Sequence, residues 1–259
     1  MIFYEQAVAL NRELHQNLKI QLRANQFSFA KKTNSVLIAG SELAEAGRDY
    51  PIVFVGAESG PFTLAALVGL NDQENVLVGE DGRWEANTYI PAFIRRYPFV
   101  LADNEGGEAL TVCVDQAYDG LSHEQGEALF NADGTESTYL RNVIDFLALF
   151  HGEMKRTSAF AAKVFELGLL VSKVVSFERD GVKKTLEGAW VIDEARLNAL
   201  SDDKLLELLK TGCFGWIYAH LMSLNNLQRM AQRIDTQRVM ALAAAADVVD
   251  PANVSAAVH

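Results

Sequence analysis

At 259 residues, 49% of them hydrophobic, the chain is long enough for one large domain or two modest ones around a real core. Its formal net charge of −11 argues against a main affinity for nucleic acid, which needs clustered cations to displace counterions, and disfavours anionic membrane surfaces. Two distant cysteines, Cys113 and Cys213, with no histidine at zinc spacing argue against a disulfide framework or structural zinc site; reduced thiols are the default.

The first residues carry no basic start, long apolar run or small-residue cleavage site, and the apolar runs near Ile52 and Leu64 are too short for a bilayer. These features predict a cytoplasmic protein that does not span a membrane. From Leu18 to Ala24 apolar and polar residues alternate, the period of a half-buried strand with Leu18, Ile20, Leu22 and Ala24 inward. Phe27 and Phe29 continue the alternation, and Val36 to Ala39 gives another short strand. Ser41 is placed to cap a helix through Ala46 that Gly47 stops. Tyr50–Val55 and Phe62–Val68 read as strands rich in branched residues. Asp81-Gly82 suits a two-residue hairpin that puts Trp84 on the returning strand, and Leu110–Val114 is the last strand of this half, ending at Asp115.

The stretch Trp84–Phe99 holds the densest aromatic cluster and the only adjacent arginines, Arg95 and Arg96. Pro91 and Pro98 push Ile90 and Tyr97 out of the helical region, which predicts an extended or turned segment between them. As a strand, Phe93, Arg95 and Tyr97 face one way and Ile94 and Arg96 the other. Arg95 then sits between two rings, either as a tie across an aromatic core or as a fork that grips a carboxylate or phosphate.

After Gly120 the period becomes helical. Ser137 caps a helix marked by Leu140, Val143, Ile144 and Leu147, which Gly152 is expected to break, and Thr157 caps a second through Phe160, Val164 and Leu167. Val174–Arg179 and Val182–Leu186 enclose Asp180-Gly181, a second two-residue hairpin. Asp193 caps a short helix; another spans Asp202–Lys210 and ends at Gly212; a continuous stripe from Phe214 through Leu227 marks the strongest. The expected fold is α+β, with a mainly β half over 1–119 packed with a mainly helical half over 120–234 that contains the hairpin. Residues 235–259, alanine-rich and without aromatics, read as a weakly ordered or appended tail.

Common catalytic signatures are absent: no phosphate loop, no dinucleotide fingerprint, no nucleophile elbow, no paired histidines on a helix. His15, just before the first strand, reads either as a proton shuttle or metal ligand, or as a side chain bonded to nearby backbone. Asp115, Glu127 and Asp193 offer carboxylates, but no spacing links any pair.

Larger blocks then come into register: Leu10-Asn-Arg-Glu-Leu-His15, Tyr50-Pro-Ile-Val-Phe54, Gly69-Leu70 with Glu74-Asn75, Trp84, Ile90-Pro91 and Arg95-Arg-Tyr-Pro-Phe99. Gly126-Glu-Ala-Leu-Phe130, Gly188 with Ile192-Asp193 and Ser223-Leu-Asn-Asn-Leu227 follow. From about Ala9 to about Leu227 the chain resembles the SapC family of bacterial proteins. The family name implies association with a bacterial surface layer, and its gene neighbourhoods imply company with outer-membrane receptors and cupin-like oxygenases; the resemblance supplies no catalytic residues.

The leading expectation is a non-enzymatic binding or accessory protein, without cofactor or metal, that recognises a peptide, a protein or a small anionic ligand. Trp84, Arg95, Arg96, Tyr97 and His15 are its candidate binding residues. One alternative is an enzyme of unfamiliar type using His15, Asp115, Arg95 and Tyr97; the other is a subunit that forms homo-oligomers through the helix near Phe214–Ile234.

Overall fold

The computed structural model describes residues 2–23, 26–103, 110–179 and 182–247. The first half comprises β1 (Ala7–Ala9), β2 (Lys19–Ile20), β3 (Ser35–Leu37), α1 (Leu43–Asp49), β4 (Ile52–Gly56), β5 (Phe62–Leu67), α2 (Ala92–Arg95), β6 (Phe99–Asp103) and β7 (Leu110–Asp115). Short strands β8 (Leu121–Ser122) and β9 (Glu127–Ala128) lead into α3 (Thr138–Glu166). A hairpin of β10 (Leu170–Arg179) and β11 (Val182–Ile192) precedes α4 (Glu194–Asn198), α5 (Asp202–Lys210), α6 (Cys213–Ser223) and α7 (Asn226–Asp247). The fold is α+β.

The central antiparallel sheet runs β10-β11-β4-β5-β3. Ile52, Val53 and Phe54 of β4 and Leu64, Ala65 and Ala66 of β5 are all buried, so these strands are covered on both faces and read as continuous apolar runs. The hairpin joins this sheet through Ala189 opposite Val55 and Trp190 opposite Phe54, which brings the helical half onto the sheet of the first. Phe54 and Leu64 accordingly share one core with Phe160, Leu208 and Ile217. Two smaller sheets, β1-β7-β6 and β8-β2-β9, enclose a second core around Ile20, Val114, Leu129 and Leu140. No described helix is long and apolar enough to cross a membrane.

Several elements differ from their sequence patterns. The alternating run collapses to Lys19–Ile20, with Leu18 and Ile20 buried and Leu22 exposed; Ala24 lies outside the described residues. Around Phe29 the chain makes a 3₁₀ turn, Ser28–Ala30, and the expected strands flanking Asp81-Gly82 reduce to a single bridge between Val78 and Trp84. A 3₁₀ turn, Gly40–Glu42, takes in Ser41, and the helix begins after it at Leu43 and passes through Gly47 to Asp49. Helix α3 runs uninterrupted through Gly152, because an interior glycine costs only about 1 kcal/mol relative to alanine while buried side chains on both sides, from Leu140 to Val164, hold it. Thr157 is thus no cap: its hydroxyl donates to Glu153 O (2.6 Å) and accepts from Gly40 N (2.8 Å).

The stripe after Phe214 is split between α6 and α7. Ser223 Oγ accepts from Ile52 N (3.0 Å) and donates to His220 O (2.6 Å), while Asn226 Nδ2 donates to Gly47 O (2.8 Å) and Tyr50 O (3.2 Å). Those bonds satisfy main-chain groups at the end of α1 and the start of β4, and they fix a bend between the helices. Helix α7 continues to Asp247, with residues 248–259 outside the described set. Asp180-Gly181 also lies outside it, although Arg179 pairs with Val182 as a two-residue connection requires.

Two glycines separate packing from propensity. A Cβ at Gly40 would intrude on the Trp216 ring, whereas one at Gly152, on exposed α3, would meet nothing within 4 Å. In urea unfolding, Gly40→Ala is expected to lose about 1–3 kcal/mol by overpacking. Gly152→Ala is expected to gain about 0.5–1 kcal/mol.

Candidate functional site

The Arg-Arg pair lies on a helix rather than a strand. Pro91, whose missing amide costs nothing at a helix start, occupies the N-cap of α2, and Ile94 N and Arg95 N donate to its carbonyl (2.9 and 3.0 Å). What holds the turn there is Glu42, whose buried carboxylate accepts from Ala92 N (2.7 Å), Tyr89 Oη (2.9 Å) and Ala39 N (2.8 Å). Tyr97 follows α2 and joins Pro98 through a cis peptide.

Neighbouring helical residues point about 100° apart, so the arginines serve different cavities. Arg95 Nε donates to Ile90 O (2.9 Å) and Nη2 to Tyr89 Oη (3.2 Å), and the guanidinium lies 5.8 Å from the Tyr89 ring centre and 5.4 Å from that of Phe146. It does sit between two rings, but these are not Phe93 and Tyr97. Among the described residues no carboxylate approaches it within ion-pair distance, and Nη1 has no partner. A cavity of about 210 Å³ opens here between α2 and α3, bounded by Glu42, Tyr89, Arg95, Phe146, Phe150 and Glu153.

On the other side of Phe150, a cavity of about 180 Å³ is lined by Phe93, Arg96, Leu147, His151 and Met154. Arg96 stacks over Phe93 at 4.0 Å, with Tyr4 and Phe150 at 5.9 and 5.7 Å. Its Nε is buried without a hydrogen-bond partner, and no described carboxylate pairs with it. Burial pulls its pKa below the usual guanidinium value, and cation–π contact of about 0.5–2 kcal/mol offsets part of that desolvation.

The other candidates lie elsewhere. Tyr97 stacks on Phe29 (4.1 Å) and donates to Asp115 Oδ2 (3.2 Å); burial first, then that carboxylate, raise its pKa. Asp115 is fully buried and also accepts from Glu5 N (3.1 Å), Gln6 N (2.8 Å) and Ala117 N (3.2 Å), so it fastens the N-terminal segment to β7. His15 Nδ1 accepts from Asn11 N (3.0 Å) within its own turn. Trp84 is 6% exposed, packs against Phe27 and donates Nε1–H to Tyr50 Oη (3.2 Å). A broader depression of about 620 Å³ runs past it, but its cations are engaged: Arg83 with Asp81 at 3.5 Å and Arg233 with Glu85 at 2.9 Å.

Glu42, Tyr89, Phe150 and Glu153 are site residues that sequence reasoning missed. The last two had a signal: Phe146, Leu149, Phe150 and Glu153 follow helical i, i+3, i+4, i+7 spacing, which places a carboxylate on an apolar face. Glu42 had none. His220 was also missed and belongs to the core. It is fully buried, edge-on to Phe54 (5.1 Å), and Nε2 accepts from Ile192 N (3.1 Å).

The geometry defines an α+β protein with a ring-lined, arginine-bearing cleft and, among the described residues, no group of three side chains able to hold a metal ion. The chain belongs to the SapC family, whose model matches residues 10–230. No curated protein and no solved structure matches it.

Two outcomes follow from burial. Trp84→Ala is expected to cost roughly 3–5 kcal/mol in chemical unfolding, because it leaves a cavity in the main core. Burial lowers the His220 pKa from 6.5 to about 4, so its stabilisation is complete above the unfolded value and is lost as pH falls through that window, on the order of 3 kcal/mol in all. In NMR titration the His220 ring is expected to stay neutral down to pH ~5; a midpoint of 6 or above would contradict the buried, neutral ring.

Proposed function

We propose that this chain is a non-enzymatic binding protein whose ligand presents a carboxylate to Arg95 in the cleft between α2 and α3. The observation that carries this reading is the guanidinium itself: positioned by Ile90 O and Tyr89 Oη, flanked by two rings, and without a carboxylate partner among the described residues. A planar fork held in this way is prepared for a carboxylate, and ordering it in advance lowers the cost of binding.

The enzymatic alternative receives less support, because its four candidates do not converge. His15 is bonded within a turn, Asp115 and Tyr97 share a buried hydrogen bond, and Arg95 faces a cavity that neither His15 nor Asp115 lines. The family resemblance favours an accessory role in a bacterial envelope or uptake pathway.

The test is an NMR titration of isotope-labelled protein with isocaproate and with its amide. Isocaproate is expected to shift the backbone amides of Ile90–Arg96 and Phe146–Glu153, and the amide is not. Arg95→Gln should abolish those shifts while moving Tm by no more than ~2 °C, since the side chain is exposed. Equal responses to acid and amide, or shifts that survive Arg95→Gln, would overturn the reading.

A further inference from the structure

The cleft that offers Arg95 to a ligand also carries a negative charge with no cation of its own. Glu42 lies in its wall, 7% exposed, and the three donors that reach its carboxylate among the described residues, Ala39 N, Ala92 N and Tyr89 Oη, are all neutral. Such bonds solvate a charge without cancelling it. Glu153, the second carboxylate of the wall, differs in having a counterion, since its Oε1 pairs with Arg156 at 2.7 Å.

A single hydroxyl joins Glu42 to Arg95. Tyr89 Oη donates to Glu42 Oε1 (2.9 Å) and accepts from Arg95 Nη2 (3.2 Å), so the acid and the guanidinium stand on either side of one oxygen. Tyr89 keeps its proton for that purpose, with burial first and then the Glu42 charge pushing its pKa up to about 12. The hydroxyl is a fixed spacer: it separates the two charges, yet leaves the guanidinium within the field of the acid.

Counted over its wall, the cleft is close to neutral before a ligand enters, because Arg95 is balanced by Glu42 and Arg156 by Glu153. One incoming negative charge has the guanidinium to meet. A second has no cation left, and it enters a space of about 210 Å³ beside Glu42, where the apolar walls of Phe146 and Phe150 let charges act further than in water. Resting on the carboxylate reading above, we propose that Glu42 sets the specificity of this site, restricting it to monocarboxylates with a short apolar tail and excluding dicarboxylates and phosphate dianions. Phe146, Leu149 and Phe150 supply the apolar surface for that tail.

The experiment is calorimetric titration of the full chain, at slightly alkaline pH, with four probes: isocaproate, isocaproamide, isobutylmalonate and the monomethyl ester of isobutylmalonate. The last two share one branched tail and nearly one bulk, and differ by a single charge. On the native chain the monoester is expected to bind about tenfold or more tighter than the diacid. Glu42→Gln, which keeps an oxygen to accept from Ala92 N, should bring that ratio to within about threefold by tightening the diacid most. A purely structural role for Glu42 would weaken all the acids alike and leave the ratio where it was. The comparison of monoester with diacid is made on the unaltered protein, so it decides the matter even where the variant folds poorly. If the diacid equals the monoester on the native chain, or the ratio survives Glu42→Gln, the assignment to Glu42 fails while a carboxylate site stands. If isocaproate binds no better than isocaproamide, or none of the probes binds, the carboxylate reading fails and takes the assignment with it.

Discussion

Three donors from two segments meet on the buried carboxylate of Glu42, and the geometry of the cleft depends on that meeting. Ala39 N fixes the entrance to the 3₁₀ turn before α1, Ala92 N anchors the first turn of α2, and Tyr89 Oη ties down the approach to Pro91. Hydrogen bonds to a charged group contribute roughly 1.5–3 kcal/mol each, and together they offset the cost of taking one carboxylate out of water. With Tyr89 and Ile90 fixed, Arg95 finds its two acceptors at set distances. The arginine is thereby positioned from below by an acid that it does not itself neutralise.

The pair of cavities follows from helical rather than extended geometry. On a strand the two arginines would point to opposite faces of a sheet; on α2 they diverge by about 100° and straddle Phe150, a single ring that walls both spaces. Arg96 is drawn inward onto Phe93 and Arg95 stays at the mouth. Adjacent, chemically identical residues thus acquire different tasks from one backbone choice. Across the cleft, α3 is rigid because it runs unbroken past Gly152, so Phe146, Phe150 and Glu153 hold their spacing.

Much of the fold was legible where local chemistry decides. The branched runs that became β4 and β5, the Ser137 cap that accepts from Leu140 N, and the Asp193 cap of α4 all express preferences written within a few residues. The failures have a common origin in partners distant along the chain. Pro91 is compatible with an extended segment or with a helix start, and the choice is made by Glu42, fifty residues earlier. The break between α6 and α7 interrupts a sound apolar stripe because Ser223 and Asn226 have main-chain groups of β4 and α1 to satisfy. Trp84, set among charged residues, reads as surface, yet the turn at Gly82 carries it inward to Tyr50. Of the candidate site, the arginines were visible and Glu153 was marked by its helical spacing, but Glu42 was not, since no local pattern distinguishes it from an ordinary helix-start glutamate.

The most direct test of the central claim, that the Arg95 guanidinium is kept free of carboxylates among the described residues in order to meet one from outside, is a crystal structure grown with millimolar isocaproate. The account predicts a ligand carboxylate about 3 Å from the guanidinium, with Phe146 and Phe150 lining its side chain. Arg95 turned instead into an ion pair with Glu42 or Glu153, with those two rings closed over an empty cleft, would contradict it.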